Sequence, residues 1–223
     1  MALAVSVIVN QARFTMLDPN PPPTGGNPTF SDVEMIGYVA EAQASVCQIK
    51  PDAFSVSVAI PLVAGSIQAL PIAGNSGSLA VGTQLLDLYS NVSDGSTVRM
   101  IDREALDHSH PKWQGGTQRK LVRRWFYDAR IPKQFMVAPP NDSSGVLNAR
   151  YAAVPPRPAA LTDALSIDDT YEGALHAYVV ALCYAKNTAR YDATKAGAYM
   201  AQFSAMVTGR TQPQTEMKPT EAQ

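Results

Sequence analysis

The sequence has few of the side chains that catalysis and metal binding most often use. Its 223 residues include only 2 cysteines and 3 histidines. Cys47 and Cys183 have neither CxxC nor zinc-ligand spacing, and each falls in a predicted helix, where we expect a buried free thiol. No serine occupies a Gly-x-Ser-x-Gly elbow, and no pair of carboxylates marks an acid–base site. We therefore expect a protein that is not an enzyme and that holds no cofactor and no metal.

Charge is also scarce, and the two signs nearly balance. Charged residues make up 17% of the chain, and the formal net charge is −1. This balance gives no global reason to expect nucleic acid or an anionic membrane as a partner. No apolar run approaches the length of a membrane span, and the apolar start of the chain lacks the basic region and cleavage site of a signal peptide. We therefore predict a first helix there and no membrane partner.

Apolar residues recur at helical spacing in two segments near the start of the chain. These segments predict helices over 5–17 and 30–49. At the start of the second, Ser31 and Glu34 form a capping box, in which each side chain accepts a hydrogen bond from the other residue's backbone N–H. Pro51 ends this helix. Both helices carry an apolar stripe and therefore need packing partners.

Two further helices are predicted near the end of the chain, as an antiparallel hairpin over 167–209. Asp168 or Asp169 is the expected N-cap, because a carboxylate there accepts hydrogen bonds from free backbone N–H groups. Gly209 is placed where a left-handed C-cap belongs. The last residues, 210–223, have no apolar period and predict an extended tail.

Between the two helix pairs the period of the pattern changes to two. Residues 54–60 alternate between apolar and polar side chains, which is typical of a half-buried strand. Further strands are predicted over 66–70, 84–89, 97–102, 120–127, 134–138 and 146–153. The predicted fold class is thus α+β: a four-helix bundle from the N- and C-terminal helix pairs, with an inserted antiparallel β subdomain. Residues 1–51 and 159–210 are predicted to form the helical bundle. Residues 52–158 are predicted to form the β subdomain, and residues 211–223 the extended tail.

One histidine cluster, Asp107-His108-Ser109-His110, is the best metal candidate in the sequence. A metal-dependent hydrolase using Asp107, His108 and His110 is one alternative function, although no second cluster supplies the remaining ligands. Our interpretation is a polar loop that closes against Pro111 and Trp113.

One basic cluster contains an aromatic residue and spans 119–125, Arg-Lys-Leu-Val-Arg-Arg-Trp. It could face phosphates, which makes a DNA-binding accessory protein a second alternative function. Our interpretation is a partly packed strand whose arginines pair with nearby carboxylates.

Five stretches are specific in combination and span most of residues 1–210. They are TFSDVEMI (29–36), VRMIDREALD (98–107) followed by PKW (111–113), WFYDARIPKQF (125–135), YAAVPP (151–156) and DDTYEGALHAYVV (168–180). The third has the Asp-x-Arg-x-Pro pattern of a tight hairpin turn, and Pro-Pro pairs end edge strands. In this order the stretches resemble the motifs of the head-to-tail adaptor (connector) proteins of tailed bacteriophages. The chain departs from that family at Ala129, where proline is usual, and in its proline-rich first loop.

The resemblance implies a structural virion protein, made in the host cytoplasm and located at the head–tail junction. It implies a homo-oligomeric ring, dodecameric to match the portal protein, that extends the DNA channel and offers a docking surface to tail or nozzle proteins. Genomic DNA would pass through its lumen without specific contact. The bundle is expected to build the ring and meet the portal, and the β subdomain to face the tail. A tail-tube or nozzle subunit is the structural alternative.

Three sets of interface candidates follow from the resemblance and from an apparent surplus of aromatic residues in the helical hairpin. Portal contacts are expected at Gln212, Pro213, Gln214, Met217, Lys218 and Pro219. Contacts to the tail or to a neighbouring subunit are expected at Asn75, Ser76, His108, His110 and Trp113. Contacts between ring subunits are expected at Tyr178, Tyr184, Tyr191 and Tyr199.

Overall fold

A computed structural model describes residues 3–20, 22, 28–72, 79–128 and 130–209, which form five α-helices and seven β-strands. In chain order these are α1 (Val5–Met16), α2 (Asp32–Ile49), β1 (Ser55–Pro61), β2 (Ala64–Ala69), β3 (Gly82–Asn91), β4 (Arg99–Met100), α3 (Arg103–Ser109), β5 (Arg124–Tyr127), β6 (Gln134–Asp142), β7 (Val146–Ala153), α4 (Glu172–Ala185) and α5 (Ala193–Thr208). The fold class is α+β, as predicted. The chain divides into two compact units, a helical unit up to Ala53 and from Pro155 onward, and a β-rich unit over Phe54–Val154.

Helix α4 is the most buried helix of the helical unit. It packs against α1, α2 and α5, and Leu175, Val179 and Val180 on it have no exposed surface. A helix that is apolar on most sides is stable only when other elements surround it. Burying each of these side chains contributes roughly 1.5–3 kcal/mol relative to leaving it in water.

The start of α2 shows half of the predicted capping box. Ser31 Oγ accepts a hydrogen bond from the Glu34 backbone N–H at 3.3 Å. The reciprocal half is wrong: the Glu34 carboxylate accepts a hydrogen bond from Tyr38 Oη at 2.7 Å and pairs with Lys186 Nζ. Lys186 carries a full positive charge, which attracts the carboxylate more strongly than a neutral backbone N–H group does.

The helical hairpin begins with a short 3₁₀ turn, Asp169–Tyr171, whose N-cap is Asp168. Helix α5 is capped by Asp192, which accepts a hydrogen bond from the Lys195 backbone N–H at 3.0 Å. The left-handed cap predicted at Gly209 is wrong, because this residue has the right-handed helical conformation with φ −60°. Helix α5 is also less covered than its apolar pattern suggested, since it buries only Phe203 and Val207.

The β-rich unit contains a three-stranded antiparallel sheet, β1-β7-β3, and a four-stranded sheet, β2-β6-β5-β4. The hairpin predicted around the Asp-x-Arg-x-Pro turn is confirmed: β5 pairs antiparallel with β6, and Tyr127 lies opposite Phe135. The strand predicted over 97–102 is only Arg99–Met100, which pairs parallel with β5.

Helix α3 was missed in the sequence. Asp102 caps it by accepting a hydrogen bond from the Glu104 N–H at 3.3 Å, and the helix runs through Ser109. The polar loop predicted at 107–110 is therefore wrong, because its first three residues are helical. Leu106 anchors α3 in a small apolar cluster with Trp113, Phe126 and Ala138. A seven-residue helix with one buried side chain has almost no apolar period, which is why the pattern did not indicate it.

Candidate interaction surfaces

The four tyrosines proposed for subunit contacts have different surroundings in the helical unit. Tyr178 is buried, lies edge-on to Phe203 with ring centroids 4.9 Å apart, and donates a hydrogen bond to Glu41 at 3.1 Å. Tyr184 and Tyr199 stack on each other at 6.1 Å and are partly buried. Tyr191 is 57% exposed, in the turn between α4 and α5. Of the four, Tyr191 has the most surface free for a partner.

Three large apolar side chains in the same unit are more exposed than Tyr191. Phe14 is 83% exposed, Leu17 76% and Val33 81%. The helix predicted over 5–17 placed Leu17 in its last position, with the apolar stripe, and this is wrong: α1 ends at Met16, and Leu17 adopts a left-handed conformation at φ 56° that ends the helix. Phe14 and Val33 could have been noticed as apolar residues out of phase with their stripes. We call Phe14, Leu17, Val33 and Tyr191 the Phe14 patch.

A buried ionic network holds the segments of the Phe14 patch together. Arg13 Nη2 donates to the Phe30 carbonyl and to Asp32 Oδ1, both at 2.8 Å, which joins the end of α1 to the start of α2. Asp18 lies 3.4 Å from Arg13 Nη1, and both side chains are 5% exposed. Arg190 donates to the Met16 and Leu17 carbonyls. The members of the patch are adjacent in sequence to these residues, so they lie at one end of the helical unit.

This network favours the ionised form of Asp18. Burial alone would oppose its ionisation, but hydrogen bonds from Thr29 and from the Phe30 N–H, together with the charge of Arg190, hold the pKa of Asp18 below its ordinary value. A buried carboxylate that is paired and hydrogen-bonded in this way fixes both ends of the proline-rich first loop.

In the β-rich unit, two buried asparagines hold the basic segment 119–122. Asn141 Nδ2 donates to the Arg119 and Lys120 carbonyls at 3.0 Å, and its Oδ1 accepts from the Ser143 and Gly145 amides. Asn91 Nδ2 donates to the Val122 carbonyl at 2.7 Å, and its Oδ1 accepts from the Val122 amide at 2.9 Å. The predicted strand starts only at Arg124. Before it, these two asparagines bond the Lys120 carbonyl and both backbone groups of Val122, which interrupts regular pairing with β6.

The segment borders a cleft of about 710 Å³ in the β-rich unit, which we call the basic cleft. Its apolar floor is formed by Leu106, Trp113, Ala138, Pro139 and Pro140. Its remaining wall carries His110, Lys112, Arg119, Arg123 and Arg124. None of the described residues that line it is Asp or Glu. The segment around Trp113 and the basic cluster that follows it thus share one site with residues 138–140 of β6, which lie further along the chain.

The arginines of the basic cleft do not pair with carboxylates, so that prediction is wrong for the described residues. The salt bridges there include none of Arg119, Arg123 and Arg124. Asp107, which follows the cleft residue Leu106, has other partners: its carboxylate accepts a hydrogen bond from Trp113 Nε1 at 2.8 Å and lies 3.5 Å from Arg103 Nε.

The histidine cluster does not gather metal ligands in the part of the chain that is described, where no group of three or more His, Cys, Asp or Glu is close enough to hold an ion. His108 is exposed, and His110 lies against Ser109 Oγ. Both cysteines are free: Cys183 is buried, Cys47 is only partly buried, and burial raises the pKa of the Cys183 thiol to about 12. Neither thiol is therefore poised as a nucleophile.

Two sets of predicted interface residues lie outside the described ranges. Asn75 and Ser76 belong to the first set, and the portal candidates between Gln212 and Pro219 to the second. They stay predictions.

No curated protein matches the chain. Across the described residues, no helix combines the length and apolarity needed to cross a membrane. The model of one protein family, described as SU10 adaptor protein, matches residues 4–222 and so spans both compact units. This chain therefore belongs to the SU10 adaptor protein family, whose members are structural head-to-tail adaptors of phage virions.

Proposed function

We propose that this protein is the subunit of a ring, dodecameric like the portal, that joins the portal of a phage head to the tail and extends the DNA channel. The observation that carries the proposal is the family match over residues 4–222. The protein acts through interfaces and not through a chemical step. Identical copies pack side by side until the ring closes, as cyclic symmetry requires.

We assign the ring wall to the helical unit, as a four-helix bundle of α1, α2, α4 and α5. Two observations support this assignment. Helix α5 buries only two side chains within the chain, and the Phe14 patch exposes four large apolar residues at one end. An apolar surface of this kind is costly in water, by about 25 cal/mol per Å², and contact with the next subunit removes that cost. The β-rich unit is then left to face the tail proteins.

The ring and its interface can be tested together. The double variant Phe14→Ser with Val33→Ser replaces two exposed apolar side chains, so it should remain folded but fail to close rings. The measurement is native mass spectrometry with negative-stain imaging, with and without purified portal. Ile67→Ser, which alters an exposed side chain of the β-rich unit, should form rings like the unaltered protein.

Either of two results would contradict this assignment. Rings of normal stability in the double variant would remove the Phe14 patch from the subunit interface. An unaltered protein that stays monomeric even on the portal would overturn the ring itself.

The portal contact is assigned to the residues that follow α5. Deleting 211–223 should abolish recruitment to portal-bearing heads, while the circular-dichroism spectrum and melting temperature stay unchanged. Co-sedimentation with purified heads measures recruitment. The assignment fails if the shortened protein is recruited as well as the full chain.

A further inference from the structure

We propose that the basic cleft is a docking site for an extended acidic segment of a partner protein. In this arrangement, carboxylates of the segment bind the arginines, and an apolar side chain beside them enters the floor. A cleft of about 710 Å³ is of the size that holds a ligand of a few residues. The proposal depends on the cleft alone and not on ring formation.

The first argument is uncompensated charge. Lys112, Arg119, Arg123 and Arg124 line the cleft, and none of their side chains forms a hydrogen bond or ion pair with another residue of the described ranges. The net charge of the chain is only −1, so this concentration of positive charge is a property of the cleft and not of the whole protein. Low-dielectric walls focus such a potential and attract the opposite charge. The guanidinium groups, moreover, have the planar geometry that binds carboxylates in a bidentate manner.

The second argument is that the apolar floor of the cleft fits a peptide side chain better than a nucleic acid. Leu106, Ala138 and Pro140 offer apolar contact, which stabilises a buried apolar side chain but not a phosphodiester backbone. Proteins that bind single strands stack bases on free aromatic faces. Here Trp113 is buried, lies edge-on to Phe126 at 5.2 Å, and donates its indole N–H to Asp107. Its ring is part of the fold's packing, so it offers no platform for a base.

The third argument is preorganisation. The Arg119 amide donates to the Pro140 carbonyl at 2.8 Å, and the Arg123 amide donates to the Ala138 carbonyl at 3.1 Å. Asn141 bonds the Arg119 carbonyl and Asn91 bonds the Val122 amide of the same segment. The backbone beneath the arginines is therefore already in place, and binding must order only the exposed side chains, which lowers its entropic cost.

The test is fluorescence anisotropy with a labelled peptide that contains Glu-Leu-Glu-Pro, added to the full-length protein. We expect saturable binding that weakens as salt is raised, because the exposed guanidinium groups are screened. Arg123→Gln and Arg124→Gln should each weaken binding about tenfold or more, while Arg150→Gln, an exposed arginine on β7, should leave it unchanged. A photoreactive version of the peptide should crosslink to residues 106–124 or 138–140.

Two further probes make the result decisive without relying on the stability of any variant. A peptide with Gln in place of Glu should bind at least tenfold more weakly, and so should one with Gly in place of Leu. If the Gln peptide binds equally well, or if no peptide binds, the proposal is overturned. It is also overturned if a short oligonucleotide, single-stranded or duplex, binds more tightly than the peptide and loses that binding in Arg123→Gln. That result would make the cleft a phosphate site.

Discussion

We expect Asn141→Ala to lower the free energy of unfolding by about 3 kcal/mol. The Asn141 side chain is fully buried and bonds to four backbone groups, the carbonyls of Arg119 and Lys120 and the amides of Ser143 and Gly145. Alanine would remove the partner of all four groups in a site that is at least partly buried, and each group left unsatisfied there opposes folding. Urea unfolding followed by tryptophan fluorescence measures the change.

The matched control is Asn148→Ala. Asn148 is exposed and donates to Ser90 Oγ at 3.1 Å, so its loss should change the free energy of unfolding by less than about 0.5 kcal/mol. Gly145→Ala tests the same site from the other side, because a Cβ atom there would lie 2.2 Å from Asn141 Nδ2 and 2.7 Å from the Lys120 carbonyl oxygen. Equal stability of Asn141→Ala and Asn148→Ala would show that Asn141 does not hold the basic segment.

The second large effect is expected in the helical unit, at Arg13. Arg13→Met should lower the free energy of unfolding by about 3–5 kcal/mol, because it leaves the buried Asp18 carboxylate without one of its cations and the Phe30 carbonyl without its donor. Arg103→Met is the control, since Arg103 is 61% exposed in its pair with Asp107 and such surface pairs contribute about 1 kcal/mol at most. Thermal and urea unfolding compare the two, and a loss at Arg13 no larger than that at Arg103 would contradict the assignment.

Because of the same network, the stability of the fold should depend on pH in the acidic range. The pKa of Asp18 is lower in the folded chain than its ordinary value of 3.8, so protons bind the unfolded chain more tightly at this group. The stabilisation from the ionised Asp18 carboxylate is therefore fully present above pH 3.8 and is lost as the pH falls through the lowered pKa of the folded state. Melting temperatures between about pH 5 and pH 2 should fall less steeply in Asp18→Asn than in the unaltered chain. Parallel curves would exclude Asp18 as a source of the acid sensitivity.

Most secondary structure could be predicted where a local pattern repeats for several turns or alternations. The helices α1, α2, α4 and α5 and the hairpin of β5 and β6 are of this kind, because their apolar periods and turn residues are written in consecutive positions. Helix α3 was missed, since it is too short for a period. The C-cap at Gly209 was wrong, because a cap depends on where the chain goes next and not on the glycine alone.

The sequence did not predict which residues share a candidate site. His110 and Trp113 were named as interface residues and Arg119–Trp125 as a basic cluster, but nothing in their spacing placed them around one cleft. Strand β6 brings them together, because Ala138 and Pro140 accept hydrogen bonds from the amides of Arg123 and Arg119. Likewise, Phe14, Val33 and Tyr191 are far apart in sequence, and the Arg13 and Arg190 bonds are what place them at one end of the helical unit.

The sequence by itself therefore determined the α+β class, the four long helices, the approximate positions of the strands along the chain and, through five motifs in series, the adaptor family. These depend on interactions between near neighbours, which a period or a motif records directly. Only the tertiary structure decided which exposed apolar side chains lie together at one end of the helical unit and which cations remain unpaired. Exposure and pairing depend on residues brought together from distant parts of the chain, and no local pattern encodes those contacts.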